Sequence, residues 1–253
     1  MKVKIDIRKS AQENAAAHFE LAKSLAKKAE GVKKAILETE KKLAETSSGK
    51  KVQKAPKMKR KKEWYEKYHW FFTSGKKLVV AGRDAKQNDQ LVLSVMKEND
   101  LFFHADIQGA PATILFDGKS SSEQEKKEAA QFAASHSSAW KIGAAAVDVY
   151  FVQKEQISKA AQGGYIGKGG FAISGRREWI RAVALGMAVV AQDGKAVCLP
   201  ICHPEAKNGV AIAPGQTEKG KAAEVIASMI GVEKEEVLLA LPAGKFSIKG
   251  ENV

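Results

Sequence analysis

LVVAGRDAKQNDQLVLSVMKENDLFFHADIQG, residues 78 to 109, lays out the centre of this 253-residue chain. The apolar run Leu78–Ala81 predicts a buried strand that stops at Gly82. Arg83-Asp84-Ala85 then turns the chain into a helical pattern with Leu91, Val92, Val95 and Met96 on one face. A second apolar strand carries Phe103, His104, Ala105 and Asp106 into a turn at Gly109. Two polar clusters, Arg83/Asp84/Asn88 and His104/Asp106, therefore leave the ends of core elements. Polar groups at the ends of rigid strands are where sites tend to be built.

Working outward, Trp64, Tyr65, Tyr68, Trp70, Phe71 and Phe72 form the densest aromatic cluster in the chain. A core strand and a base-stacking surface are both open readings of it. Ala112–Phe116 predicts a strand, and Ser120–Ser138 a helix opened by serines with Glu123 and Glu125 in its first turn. Ala145–Val152 and Phe171–Arg177 read as further strands, with a Gly-rich loop (QGGYIGKGG) at Gln162–Gly170 between them. Strands at Val183–Val190, Ala196–Ile201 and Gly209–Ala213 follow, and Asp193-Gly194 is a hairpin signal. Helices are expected from Thr217 to Ile230 and from Lys234 to Leu241, with a closing strand at Phe246–Lys249. Strands that occur both singly between helices and as hairpins give an α+β body with a mixed, mostly antiparallel sheet and flanking helices.

Ahead of that body the character changes. Val3–Ile7 alternates like a short strand with nothing nearby to pair with. Ser10 and Glu13 form a capping box before a long helix to about Glu45. Leu25, Ala29, Val32, Ile36, Thr39 and Leu43 alternate spacings of four and three, a coiled-coil seam that needs a partner helix. Thr46–Lys62 lacks any apolar period and is a basic linker. The organisation expected is a strand and coiled-coil helix over 1–45, a linker over 46–62, and a domain over 63–253 with an extension from about residue 204.

The charge follows the same division. Residues 1–62 hold 19 Lys/Arg against 7 Asp/Glu, and the remainder holds 23 against 22. A basic arm on a neutral body predicts a polyanionic partner, RNA or DNA, while a solvated lysine-rich helix remains the plainer reading. No apolar run approaches the roughly 18–20 residues of a membrane span, so no membrane partner is expected and the cytoplasm is the expected location. Cys198 and Cys202, both in apolar surroundings, read as buried free thiols of a reducing compartment.

The polar motifs each admit two readings. Gly167-Lys168 is followed by Gly169, and Gln occupies position 162, so P-loop spacing and its metal-holding hydroxyl are missing. A mobile loop whose amides and Lys168 touch a phosphate backbone stays open, with Arg176, Arg177 and Arg181 just beyond it. His104 and Asp106 share a strand face, which suits either an oriented imidazole or a brace at a strand-to-turn junction. Further metal ligands lack spacing, and neither a metal nor a cofactor is expected. Asp84 is placed to cap a helix, leaving Arg83 free to reach an acidic or phosphate group.

These residues resemble a known family. Gly82-Arg83-Asp84-Ala85-x-x-Asn88, His104-Ala105-Asp106, Gly109-Ala110, Ser138-Ala139-Trp140, Gln156-Ile157-Ser158-Lys159 and Gly170-Phe171-x-Ile173-x-Gly175-Arg176-Arg177 are similar to the NFACT-R domain. That domain is the C-terminal RNA-binding module of the NEMF/RqcH proteins of ribosome-associated quality control. Glu63–Phe71 is similar to its start, the helix from Ser10 resembles the coiled-coil middle region, and Val210-x-Ile212-x-Pro214-Gly215 resembles an archaeal-type extension. The loop departs from the family pattern, reading Gln162-Gly163-Gly164-Tyr165 without its Pro and Glu. Gly170 and Glu178 replace the family's Ser and Asn.

The resemblance implies a non-enzymatic factor that binds stalled large ribosomal subunits with peptidyl-tRNA and supports nascent-chain tailing. It also implies a tRNA-selecting N-terminal NFACT domain outside this chain. The expected RNA contacts are Arg83, Asn88, His104, Lys159, Lys168, Arg176 and Arg177. The expected partners are ribosomal RNA, tRNA and a partner coiled-coil helix. The alternative is an RNA-modifying or RNA-cleaving enzyme using His104, Asp106 and Asp84.

Overall fold

The structure, a computed structural model, describes residues 5–7, 10–46, 63–161 and 164–248. The chain divides into two compact units, residues 1–60 and 61–253. The first contains helix α1 (Ala11–Thr46). Its capping box forms as expected: Ser10 N donates to Glu13 Oε2 at 2.8 Å and Glu13 N to Ser10 Oγ at 3.2 Å. Of the seam residues, Leu25, Val32 and Ile36 are all more than half exposed. Residues 5–7 form no strand, and the rest of the expected Val3–Ile7 strand and the linker beyond Thr46 lie wholly or largely outside the described residues.

The second unit carries a six-stranded sheet in the order β1-β2-β4-β3-β5-β10. Its strands are β1 (His69–Phe72), β2 (Leu78–Ala81), β3 (Leu101–Ala105), β4 (Thr113–Leu115), β5 (Ala146–Gln153) and β10 (Glu178–Ala184). Between β2 and β3 lie α2 (Ala85–Gln90) and a π-helical turn, Leu91–Val95. Between β4 and β5 lie α3 (Glu123–Ser135) and α4 (Ser138–Lys141). The short strands β6 (Ile157–Ser158), β7 (Ala160–Ala161), β8 (Gly164–Tyr165) and β9 (Ala172–Ile173) form two small pairs, β6 with β9 and β7 with β8.

A second sheet, ordered β12-β11-β13-β14, comes from β11 (Met187–Gln192), β12 (Lys195–Pro200), β13 (Val210–Thr217) and β14 (Phe246–Ile248). Helices α5 (Lys219–Ile230) and α6 (Lys234–Ala240) belong to it. The architecture is α+β, and every strand pairing among the described residues is antiparallel. The parallel component of the expected mixture is therefore absent from them, because neighbouring strands run in opposite senses wherever they meet.

Alternation along β3 shows how the sheet is buried on both sides. Leu101, Phe103 and Ala105 enter one core with Phe71 and Phe132 of α3. Phe102 enters the other with Tyr68, Ile114 and Tyr150, closed by Leu91, Val92 and Met96. Helix α3 also touches β12, so it is shared by the two sheets. Its start is held by Ser122, which accepts from Glu125 N, while Glu125 and Glu128 reach back to Thr73 Oγ1 and Ser74 N in the β1–β2 turn, each at 2.8 Å.

Three expectations need correction. The strand expected at Val183–Val190 is two strands in two sheets. β10 ends at Ala184 after a bulge at Ala182 (φ 49°), and β11 begins at Met187. The strand expected over Phe171–Arg177 shortens to Ala172–Ile173, so the paired arginines precede β10 instead of ending a strand. Cys198 is buried, but Cys202 lies exposed on the turn after β12. The Asp193-Gly194 hairpin forms, with both residues left-handed at φ 50° and 73°.

Candidate nucleic-acid interface

A cleft of about 480 Å³ opens at the end of the first sheet where β2 and β3 finish and β1 and β4 begin. The loop after β2 is shaped by Gly82, where a Cβ would lie 2.1 Å from Asn88 Oδ1. That oxygen accepts from Ala112 N at 3.2 Å, and Gly82 N donates to Ala112 O at 3.1 Å. Asn88 is thus a brace between α2 and the approach to β4. Asp84 caps α2 as expected, its Oδ1 accepting from Gln87 N at 2.8 Å.

Arg83 is placed differently from the free cation expected of it. Its guanidinium donates to Lys67 O (3.1 Å), Tyr68 O (2.9 Å) and Leu239 O (2.8 Å). Leu239 lies in the last turn of α6, whose carbonyls have no partners within the helix. Lys219 Nζ donates to Leu241 O at 3.0 Å, and the Ala240 carbonyl is hydrogen-bonded to the His69 ring. Two cations and the buried His69 ring thus converge on the negative end of α6, where cations are stabilising. Arg83 keeps two N–H groups beyond these contacts and lines the cleft.

Lys159 is also committed. Its ammonium pairs with Asp89 Oδ1 at 2.5 Å and donates to Gly170 O at 2.7 Å and Gly167 O at 3.2 Å, above the Phe171 ring at 4.3 Å. Three donors meet three acceptors, a staple that holds the Gly-rich loop to α2. Gly169 N donates to Asp89 as well, at 3.1 Å, and a Cβ on Gly169 would lie 2.8 Å from Ala85. The staple presents Lys168 outward, exposed on the cleft rim.

His104 faces the cleft from β3, half-buried, with its imidazole held below its ordinary pKa by burial. Strand register pairs it with Tyr150 on β5, and Tyr150 in turn pairs with Trp179 on β10. Arg177 sits over the Tyr150 ring at 4.6 Å and Arg181 over Trp179 at 4.0 Å. Arg181 also pairs with Asp148 at 2.6 Å. The result is a ladder of rings capped by exposed guanidiniums, beginning beside the cleft. Arg176 is exposed next to it, its carbonyl accepting from Gln156 Nε2 at 2.8 Å. Guanidiniums on aromatic faces keep their N–H groups available for phosphate.

Deeper in the cleft, His69 and His136 lie ring on ring at 4.1 Å. His69 Nδ1 and both ring nitrogens of His136 are covered and without a hydrogen-bond partner. Burial, with Arg83 and Lys219 nearby, lowers His136 to about 3, so it is neutral at physiological pH.

Asp106, grouped with His104 from the sequence, lies exposed past the end of β3 and is not part of the cleft lining. Among the described residues no three His, Cys, Asp or Glu side chains converge as a metal site would need. Sequence reasoning missed the His69–His136 pair and the Tyr150–Trp179 ladder. The apolar alternation of β5 pointed toward the ladder, while the histidine pair had no local signal at all.

A family model for the NFACT protein RNA binding domain matches residues 67–175. Over those residues the chain is similar to that family. The match runs from the start of β1 through the Gly-rich loop and stops just before Arg176. NFACT relatives extend the similarity. The chain is 37% identical over 205 residues to the archaeal Rqc2 homolog aRqcH of Methanocaldococcus jannaschii, covering 76% of this chain and 30% of that protein. It is 32% identical over 198 residues to the ribosome quality control complex subunit NEMF homolog of Drosophila melanogaster, covering 74% of this chain and 20% of that one. It is also 32% identical over 166 residues to the human subunit NEMF, covering 63% and 15%. The chain thus spans less than a third of the length of each of these relatives. Among the described residues no helix is long and apolar enough to cross a membrane.

Proposed function

We propose that this chain is the RNA-binding module of a cytoplasmic ribosome quality control factor. It engages stalled large ribosomal subunits carrying peptidyl-tRNA, and it supports nascent-chain tailing together with a tRNA-selecting domain and a partner coiled-coil helix. The observation that carries the reading is the exposed cationic series Lys168, Arg176, Arg177 beside the cleft of the NFACT domain. The basic arm adds salt-sensitive affinity for the same polyanion. Within this reading Lys168, Arg176 and Arg177 contact phosphates and His104 contacts the RNA beside them. Arg83, Asn88 and Lys159 position the elements that carry those groups.

The enzyme alternative would use His104 with Asp106, whose charge acts on the His104 ring, and Asp84. Asp84 is engaged as a helix cap and Asp106 lies outside the cleft that holds His104.

The test is co-sedimentation of the whole chain with purified large ribosomal subunits across a salt series. The comparison is a triple variant, Lys168→Ala with Arg176→Ala and Arg177→Ala. Each lost phosphate contact should lower the slope of log K on log salt by about one, and binding should weaken at every salt concentration. An unchanged affinity and slope would reject this surface as the RNA contact.

A further inference from the structure

We propose that the cleft at the end of the first sheet receives one unpaired nucleotide extruded from the bound RNA, with its phosphate at the Lys168 rim and its base beside His104. This rests on the RNA-binding reading and adds a ligand to it. Four observations support it. The size is the first: about 480 Å³ lies in the range of small-ligand pockets, holds a single nucleotide and excludes a helix. Second is the distribution of charge. The rim carries Lys168 and Lys141, and the only carboxylate in the lining, Asp84, is engaged by the α2 amide of Gln87. Phosphate is therefore favoured at the mouth.

The third is the interior, where imidazoles meet the Arg83 guanidinium. His104 reaches it half-buried, above the His69–His136 pair, whose three unpartnered ring nitrogens are covered. A neutral imidazole both donates and accepts, as the edge of a nucleobase does, and burial lowers the pKa of His104. The fourth is continuity: His104 is the first ring of the ladder that leads to Tyr150, Trp179 and the exposed arginines. An RNA backbone lying along the arginines would bring its neighbouring nucleotide to the cleft mouth. Extrusion costs least for a base that is already unpaired.

The experiment uses the full chain and three probes. They are an RNA hairpin with a single-purine bulge, the same hairpin fully paired, and adenosine 5′-monophosphate. The bulged hairpin is expected to bind about tenfold more tightly than the paired one at equal salt. In His104→Phe, which keeps a ring and removes its nitrogens, the ratio of bulged to paired affinity should fall to within about twofold. A second measurement needs no variant: 2-aminopurine at the bulge should brighten on binding wild type as it leaves its stacked neighbours. Equal affinity for the two hairpins, a preference that survives His104→Phe, or an unchanged 2-aminopurine signal overturns the proposal while leaving RNA binding intact. Binding of neither hairpin overturns the RNA-binding reading itself. A shift of the His104 ring resonances by adenosine 5′-monophosphate without RNA binding assigns the cleft to a free nucleotide instead.

Discussion

Replacing His136 with Phe tests the electrostatics of the cleft floor through stability. His136 is buried against His69 and Phe132, with Arg83 and Lys219 as the nearby cations and the buried Cys198 thiol close to both. Burial first, then those two cations, lower its pKa from 6.5 to about 3. Below pH 6.5 the unfolded chain takes up a proton that the folded chain refuses. The stability contributed by the neutral ring is therefore complete above that pH and lost as pH falls toward about 3. At pH 5 the loss is about 2 kcal/mol, one and a half pKa units at about 1.4 kcal/mol each.

His69, also held well below its ordinary value by burial and by His136, adds a loss of the same sign. Carboxylates held low, such as Glu125 and Asp148, act only further into acid and leave this window clear. Urea midpoints followed by tryptophan fluorescence at pH 7.5, 6 and 5 measure the effect. His136→Phe should be close to wild type at pH 7.5, because it removes two nitrogens that had no partners. By pH 5 it should be the more stable protein. Parallel pH dependence in the two proteins would refute the assignment of a buried neutral imidazole.

Other consequences are equally direct. Gly82→Ala sets a Cβ 2.1 Å from Asn88 Oδ1 and should cost about 1–3 kcal/mol in urea unfolding; Asn88→Ala in the same chain should relieve part of it, and strict additivity would show the clash is not the cause. Lys159→Met removes the loop staple, so the amides of Ile166, Gly169 and Gly170 should exchange faster while α3 keeps its protection. Unchanged loop exchange would mean that other contacts hold the loop. Arg83→Lys cannot span three carbonyls and should loosen the α6 amides with a stability loss of about 1–2 kcal/mol. Full α6 protection would contradict its role there. For the same reason a fall in ribosome binding of an Arg83 variant needs this exchange control before it is read as a lost RNA contact.

Much of the framework was legible along the chain. The stop at Gly82, the Asp84 cap, the buried Leu91/Val92/Met96 face and the Asp193-Gly194 hairpin all follow from short-range rules of sterics and capping. Strand β10 was not legible. It is an edge strand with a bulge, so its exposed and half-buried residues lose the regular alternation that marks a strand. The site residues divide in the same way. Lys168, Arg176 and Arg177 are exposed, as a reading of free cations expects, whereas Arg83 and Lys159 are not free.

What the sequence by itself determined is therefore local: element type, caps, turns, the family motifs and the segregation of charge into the arm. Only the tertiary structure decided which cations remain available and which aromatic rings line up. Arg83 meets Leu239, far along the chain, and His69 meets His136, through packing of α3 and α6 around the sheet. The physical reason is that a long cationic side chain is used by whatever carbonyls and carboxylates come within about 3 Å of it. That proximity is set by strand order and helix packing, neither of which leaves a periodic trace in the residues themselves.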